Sequence, residues 1–274
     1  MFNINQKTIK TPINFSGIGL HSGLISDIKL LPASDNVGII FKRIDIKENN
    51  EIKADFKNVS SARLCTTLKN SFGVSVSTVE HLLAAFYITG IDNIIVEVNN
   101  SEMPIMDGSS KDFVNLIKKI GLRELNSKRK FLRILKTIEL KENEKSIMIE
   151  PYDQGLTVDF QINFDNEVIG DQNNFVNFQE NDLEKIYTSR TFCLYEDIEK
   201  IKQNGLAKGG SLENAIVVKD NKVLNEGGLR NKKEFVNHKI LDLAGDFLLS
   251  GFRILGKVKC VQGGHLLTNT FLKK

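Results

Sequence analysis

His238 and Asp242 are the first candidates for chemistry in this chain of 274 residues. They stand four residues apart on a helix predicted over 234–250, a spacing that places imidazole and carboxylate on one face, one turn apart. Asp246 extends the same stripe by another turn. A loose His-x3-Asp pattern is also typical of a solvent-exposed helix face, so the spacing alone leaves both interpretations open.

Glu80 and His81 form a second candidate pair, near the start of an amphipathic helix predicted over 78–88 with Thr78 as its N-cap. Adjacent Glu and His are typical of the HExxH zinc helix, but position 85 is Ala, so the second local ligand is missing. Further ligands must come from elsewhere, and His238 and Asp242 supply two. Two imidazoles and one carboxylate, with one position left for water, form a catalytic zinc set. The alternative is a surface His beside an acid that favours a helix N-terminus.

The remaining two histidines lie beside glycines. His265 follows Gly263-Gly264 and is a candidate proton donor, with Asp246 as the carboxylate that would keep it protonated. His21 lies between Gly19 and Gly23. Either histidine could instead be an ordinary loop residue.

Length and hydrophobic periodicity predict two domains, with a boundary in the polar segment 123–130 that gives domains 1–126 and 127–274. In the first we expect strands at 8–14, 26–31 and 93–98, and helices at 78–88 and 109–120. In the second we expect strands at 131–140, 145–150, 156–164 and 254–261, and the helix 234–250. An insert at 194–219 is predicted to contain a helix, 195–204, and a strand, 215–218.

A weak internal repeat relates the two halves. His81 lies nine residues before Gly90, Asp242 lies nine residues before Gly251, and a strand follows each glycine. The pattern predicts that His81 and Asp242 are equivalent positions in two related halves, with the site between them.

Composition excludes several classes of protein. The net charge of +3 is scattered, which argues against nucleic-acid binding. Three cysteines without CxxC spacing argue against a disulfide framework or a Cys-rich zinc site. We find neither a signal peptide nor a run of about 18 apolar residues. We therefore expect a cytoplasmic protein without a transmembrane segment. We also expect a monomer that acts on a small molecule.

Several short motifs along the chain resemble those of a known family. The chain resembles the UDP-3-O-acyl-N-acetylglucosamine deacetylases, bacterial enzymes that catalyse the committed step of lipid A synthesis. The resemblance spans essentially the whole chain and rests on motifs in a fixed order: GIGLHSG at 17–23, TVEHLLAA at 78–85, GIDNIIVEV at 90–98, PIMDGS at 104–109, SRTF at 189–192, GGS at 209–211, VLNEGGLR at 223–230, FVNHKILD at 235–242 and GH at 264–265.

The resemblance implies hydrolysis of the 2-acetamido group of a UDP-linked, 3-O-acylated glucosamine, with release of acetate. The fold it implies is α+β, with two related domains, helices packed between two sheets, and the active site at the interface. The zinc ligands it implies are His81, His238 and Asp242, and iron(II) could replace zinc because such sites accept both. The catalytic residues it implies are Glu80 as general base, His265 as cationic acid, Asp246 as its orienting partner and Thr191 as oxyanion donor.

The resemblance also implies residues that contact the substrate. Lys239 would meet the diphosphate. The sugar and the acyl chain would be bordered by Phe192, Leu64, Cys65, His21, Gly210, Ser211, Ala215 and Val217. The insert 194–219 could form the acyl groove or be an ordinary surface excursion. Cys193 departs from the glycine that often follows the Arg-Thr-Phe triplet, and its larger side chain would narrow the start of the acyl passage.

Two other functions stay open from the sequence. The first is a zinc amidohydrolase that uses the same site on a different sugar. The second is a catalytically silent protein that binds nucleotide sugars, although such a protein would be free to lose Glu80, His265 and the three ligands.

Overall fold

The computed structural model describes residues 4–180 and 182–274, and it contains two halves, one built on a five-stranded sheet and the other on a six-stranded sheet. The elements of the first half are β1 Asn5–Ile9, β2 Ile13–Ile18, β3 Ile25–Pro32, β4 Ile39–Arg43, β5 Glu51–Lys53, a 3-10 turn Phe56–Asn58, β6 Val59–Ser61, β7 Thr67–Lys69, β8 Ser75–Val76, α1 Glu80–Thr89, β9 Ile94–Val98 and α2 Lys111–Ile120.

The elements that follow are β10 Leu122–Lys128, β11 Phe131–Arg133, β12 Ile138–Glu142, β13 Lys145–Pro151, β14 Leu156–Asn163, β15 Asp171–Asn177, α3 Glu184–Tyr187, β16 Phe192–Leu194, α4 Tyr195–Gln203, β17 Ile216–Lys219, β18 Lys222–Val223, α5 Glu234–Leu248, β19 Arg253–Val261 and α6 His265–Phe271.

The two sheets share one topology over five strands. These strand orders are β2-β3-β9-β4-β5 and β12-β13-β19-β14-β15, and within each order only the third and fourth strands are parallel. The second sheet has a sixth strand, β11, which pairs parallel with β19. α1 precedes the central strand β9 as α5 precedes the central strand β19. This is the relation that the weak sequence repeat predicts, and it is compatible with an internal duplication. His81 and Asp242 therefore lie on corresponding helices.

The buried helices α1 and α5 lie between the two large sheets, as the predicted α+β fold requires, whereas α4 packs on β16 and β17 and has no buried residue. Burial alternates along β4 and β9, so one face of that sheet is covered, and α5 packs on β14, β15 and β19 of the other sheet. α1 packs against α5, and its residues from Glu80 to Tyr87 are buried on every side. The expectation of an amphipathic α1 is therefore wrong, because a helix between two sheets has no solvent face.

Gly245 allows α1 and α5 to approach closely. A Cβ atom at this position would overlap the carbonyl oxygen of Glu80 and would lie 3.1 Å from the backbone nitrogen of Ala84. A glycine in a helix interior is unfavourable relative to alanine by roughly 1 kcal/mol, so its presence here is explained by this contact. It sets the distance between the two helices that carry the metal-ligand candidates.

Several boundaries differ from the sequence prediction. α1 begins at Glu80 rather than at 78, and Thr78 is not its N-cap, because its backbone has a left-handed φ of 58° and its hydroxyl donates to Glu102 instead. The predicted strands at 8–14 and 131–140 are each divided into two, and β15 and α6 were not predicted. α6 matters most, since His265 is its first residue rather than a loop residue.

The polar segment predicted to separate the domains contains a strand. β10 pairs antiparallel with β1, so this segment packs with the first half of the chain. The domain boundary after residue 126 stays a prediction. Within 4–180 and 182–274, none of the helices has the length and apolar character needed to cross a bilayer.

We expect Gly245→Ala to lower the free energy of unfolding by about 1–3 kcal/mol, the usual effect of overpacking, because α1 and α5 must move apart. Thermal and denaturant unfolding would measure it. Gly264→Ala is the matched control, since Gly264 has an extended backbone and no atom within 4 Å of an added Cβ. Equal stability of the two variants would contradict the close-approach interpretation.

Candidate active site

α1 and α5 bring His81, His238 and Asp242 together between the two sheets. Their candidate ligand atoms lie within 4.8 Å of one another, and all three residues are at least 95% buried. Asp242 Oδ1 lies 3.6 Å from His81 Nε2 and 3.4 Å from His238 Nε2. The predicted stripe on α5 is therefore not a solvent face, and its partner comes from the other half of the chain.

These three side chains fit a tetrahedral metal ion. Two ligands bound at about 2.0–2.1 Å in tetrahedral geometry are about 3.3 Å apart, close to both distances from Asp242 Oδ1. That oxygen is buried and has no hydrogen-bond partner among the described residues. A buried carboxylate oxygen without a partner is costly, and a cation between the three groups would remove that cost.

The protonation of His238 suits a metal ligand. Its Nδ1 lies 3.0 Å from the carbonyl oxygen of Ser189, which can only accept, so Nδ1 carries the proton and Nε2 presents its lone pair to Asp242. Burial lowers the pKa of His238 to about 3, against the opposing effect of Asp242. The imidazole is therefore neutral, as metal binding requires.

Asp242 also contacts Lys239. The lysine Nζ lies 3.1 Å from Asp242 Oδ2 and 5.4 Å from the centre of the Phe192 ring. Burial alone would raise the pKa of Asp242, but His238, Lys239 and His265 hold it well below its ordinary value. Asp242 is therefore an anion, and Lys239 lies beside the metal-ligand candidates rather than on an open surface.

Glu80, His265 and Asp246 form a second cluster next to the three ligand candidates. His265 Nδ1 lies 2.8 Å from Asp246 Oδ2, and its Nε2 faces Glu80 Oε1 at 3.6 Å and Asp242 Oδ2 at 3.7 Å. The predicted pairing of Asp246 with His265 is thus present in the structure. One ring nitrogen contacts its carboxylate partner while the other points to where a substrate atom could lie.

The electrostatics of this cluster favour a protonated His265. Burial disfavours its charge, yet Asp246, Asp242 and Glu80 together raise its pKa to about 10. Burial also raises the pKa of Glu80, which neighbouring histidines only partly oppose. The site therefore holds a cation able to donate a proton beside a carboxylate able to accept one.

Sequence reasoning missed Thr66, which contacts two carboxylates of the second cluster, those of Glu80 and Asp246. Its backbone N–H donates to Glu80 Oε2 at 3.0 Å, and its hydroxyl donates to Asp246 Oδ1 at 2.7 Å. It lies in the loop between β6 and β7, fourteen residues before Glu80 and far from Asp246 in the sequence. No spacing rule relates a loop threonine to either residue, so the sequence carried no signal for it.

A largely apolar cavity of about 340 Å³ lies beside the site. It is lined by the predicted oxyanion donor Thr191, by residues of α4 and the following loop, and by most of the predicted substrate residues, namely His21, Leu64, Phe192, Gly210, Ser211, Ala215 and Val217. Ile198, Ile201 and Leu212 are lining residues that the sequence did not single out individually. The insert 194–219 is a β-α-β excursion whose inner face forms this cavity.

The two cysteines near the cavity differ in position. Cys193 lines it, whereas Cys65 does not, and the Cys65 sulfur lies 3.9 Å from the hydroxyl of Thr67. Burial raises the pKa of the Cys193 thiol to about 11 and that of Cys65 to about 12, so both remain protonated thiols. Cys65 was predicted to border the substrate, but it is not among the residues that line the cavity.

Glu102 holds one rim of the cavity and was also missed. Its carboxylate accepts the backbone N–H groups of His21 and Ser22 and the hydroxyl of Thr78. The turn that it fixes binds the loop around Ala207 through His21 Nδ1, at 3.4 Å. One buried carboxylate therefore positions both the cavity rim and Thr78, which lies two residues before α1.

Comparison with known proteins agrees with this geometry. A sequence model of the family described as "UDP-3-O-acyl N-acetylglycosamine deacetylase" matches residues 6–274. The chain belongs to this family. Relatives named UDP-3-O-acyl-N-acetylglucosamine deacetylase include one from Pseudoalteromonas translucida, 43% identical over 99% of this chain and 90% of its own length. Another, from Sodalis glossinidius, is 44% identical over 98% of this chain and 89% of its own.

The family match confirms the resemblance that the sequence motifs indicated, over nearly the full chain. The matched region contains both halves, so it includes all three ligand candidates and the Glu80, His265 and Asp246 cluster. The family and the site geometry agree on a metal-dependent deacetylase.

We expect the protein, once stripped with chelator, to bind about one zinc ion per chain, and His81→Ala, His238→Ala and Asp242→Ala to weaken this by more than about 100-fold. Changing even an outer partner of a metal ligand typically costs about 10–100-fold. Metal analysis after dialysis against buffered zinc would measure it. His21→Ala is the matched control and should keep full metal content. Wild-type affinity in any of the three ligand variants would contradict the site.

Proposed function

We propose that this protein hydrolyses the 2-acetamido group of UDP-3-O-acyl-N-acetylglucosamine, releasing acetate and UDP-3-O-acyl-glucosamine, in the committed step of lipid A biosynthesis. The observation that carries the proposal is one buried site with three parts. A metal-ligand trio lies beside a carboxylate–imidazolium pair, and an apolar cavity opens next to both. A metal, two proton-transfer groups and an acyl-chain pocket are what this substrate requires.

Zinc is the metal that we propose for His81, His238 and Asp242, with iron(II) as the alternative in the cell. Two imidazoles and one carboxylate suit both ions, and none of the three is a thiolate, as expected for a hydrolytic rather than a structural zinc site. When bound, the ion supplies Lewis-acid polarisation of the carbonyl and lowers the pKa of water towards about 7.

Glu80 is the proposed general base. Its buried carboxylate would take a proton from the attacking water, and its raised pKa makes that proton easier to accept. His265 is the proposed general acid, because its Nε2 is the free ring nitrogen and the ring is cationic. It would give a proton to the leaving nitrogen, and Asp246 would hold the ring in place.

The remaining roles follow the position of each side chain. Thr191 borders the cavity next to Phe192 and is the proposed donor to the oxyanion of the tetrahedral intermediate. Lys239 is the proposed partner of the diphosphate, a role that requires it to leave or share its contact with Asp242. The cavity residues would hold the acyl chain and the sugar, and Cys193 would narrow the start of the passage.

The pH dependence of turnover tests the acid and base. Activity should fall as pH drops through the raised pKa of Glu80, because the base is then protonated. It should fall again as pH rises towards about 10, because His265 then loses its proton. Glu80→Gln should lower kcat by about 10²–10⁴-fold and His265→Gln by a similar factor. A monotonic kcat profile for the wild type, or full activity in Glu80→Gln with zinc bound, would contradict this assignment.

Dependence on the acyl chain tests the cavity. Each buried methylene contributes about 0.8 kcal/mol, so kcat/KM should fall severalfold for each methylene removed while the chain still reaches the cavity. Ala215→Leu, which fills the cavity, should lower kcat/KM for the acylated sugar and leave the residual activity on the non-acylated sugar unchanged. Acetate release from both substrates would measure it. Equal turnover of both substrates by the wild type would favour a deacetylase of a different sugar.

Silent binding of nucleotide sugars is the competing function from another class. It predicts tight binding of the UDP-sugar with no acetate released at any pH or metal concentration.

The three cysteines are free thiols, as a reducing compartment requires. The cytoplasmic location, the monomeric state and the division at residue 126 remain predictions.

A further inference from the structure

We propose that Thr66 is a positioning residue that fixes the proton acceptor Glu80 relative to the proton donor His265. The inference rests on the proposed function for the roles of these two groups, and on the geometry for everything else. Thr66 is fully buried, and its contacts are with Glu80, Asp246 and His265 rather than with the metal-ligand candidates.

The backbone of Thr66 holds Glu80. Its N–H donates to Glu80 Oε2 at 3.0 Å, and its carbonyl accepts the N–H of Val79, the residue before α1, at 3.4 Å. Both backbone groups of Thr66 are therefore hydrogen-bonded to the start of α1, the N–H to Glu80 and the carbonyl to Val79. Glu80 Oε1, the oxygen that faces His265, is left free of this contact.

The hydroxyl of Thr66 holds Asp246. It donates to Asp246 Oδ1 at 2.7 Å, while Asp246 Oδ2 faces His265 Nδ1 at 2.8 Å. Asn269 Nδ2 lies 3.4 Å from the same hydroxyl and can only donate to it, which leaves the single hydroxyl proton for Asp246. With a donor on each oxygen, the plane of the Asp246 carboxylate is fixed, and so is the ring that it orients.

These two contacts connect the halves of the molecule. Glu80 belongs to the first half, and Asp246 and His265 belong to α5 and α6 of the second. Thr66 contacts Glu80 through its backbone, and its hydroxyl contacts Asp246 and lies 3.4 Å from His265 Nδ1, so one residue links the base to the acid and to the acid's partner. A misplacement of about 1 Å can cost about 10²-fold in rate.

Removal of the hydroxyl tests the proposal. Thr66→Val keeps the side-chain shape and the backbone contact to Glu80 but cannot donate to Asp246. We expect kcat to fall about 10- to 100-fold with KM and zinc content unchanged, and Thr66→Ser to restore most of the loss. Thr157→Val is the matched control, since Thr157 is 4% exposed and its hydroxyl has no hydrogen-bond partner within the described chain. This control should keep the wild-type kcat.

A double variant separates positioning from a general structural effect. If Thr66 acts through Asp246, Thr66→Val should lower kcat little further in an Asp246→Asn background. A full multiplicative loss in the double variant, or wild-type kcat in Thr66→Val, would overturn the proposal. If Thr66→Val does not fold, as judged by thermal unfolding, Thr66→Ala takes its place in both comparisons.

The proton of His265 gives a readout that needs no turnover. In nitrogen-15-labelled protein, the Nδ1–H shared with Asp246 should give a downfield resonance that shifts or exchanges faster in Thr66→Val and stays in place in Thr157→Val. An unchanged resonance in Thr66→Val would overturn the positioning role. A wild-type protein that releases no acetate but shows these shifts would instead refute the proposed function and leave the positioning geometry supported.

Discussion

Six ionisable side chains meet where α1, α5 and α6 come together. Because water hardly reaches them, the charge of each must be compensated by neighbouring protein groups or by a bound cation. The six are Glu80, His81, His238, Asp242, Asp246 and His265, and all are at least 91% buried. Unpaired buried charge costs several kcal/mol, so the three carboxylates among them need cations or hydrogen-bond donors at short distances. The two sheets exclude solvent from this cluster, and Gly245 lets α1 and α5 approach closely enough to bring its side chains together.

The shared topology explains why the site lies where it does. Each half contributes a helix ahead of its central strand, so the corresponding helices meet face to face when the halves pack. Neither half contains a complete ligand set: the first supplies His81, and the second supplies His238 and Asp242. A metal held by these residues would connect the halves, so that metal binding and correct packing of the halves depend on each other.

The sequence predicted the chemistry of the site better than its surroundings. The absence of a local second ligand after Glu80-His81 pointed to a remote pair, and the structure brings that pair to His81. Periodicity misjudged α1, because a helix between two sheets has no polar face, and it could not distinguish a buried His-x3-Asp stripe from an exposed one. Thr66 and Glu102 left no signal, since their contacts depend on loop positions that only tertiary packing sets.

The central claim is that a metal at His81, His238 and Asp242 is needed to release acetate from the acylated UDP-sugar. The most direct test is acetate release by chelator-stripped protein as zinc is returned in measured amounts. A metal-dependent reaction should show negligible release without metal, a rise that saturates at about one equivalent per chain, and no recovery in Asp242→Ala. Undiminished acetate release by the stripped protein, or full recovery in Asp242→Ala, would contradict it.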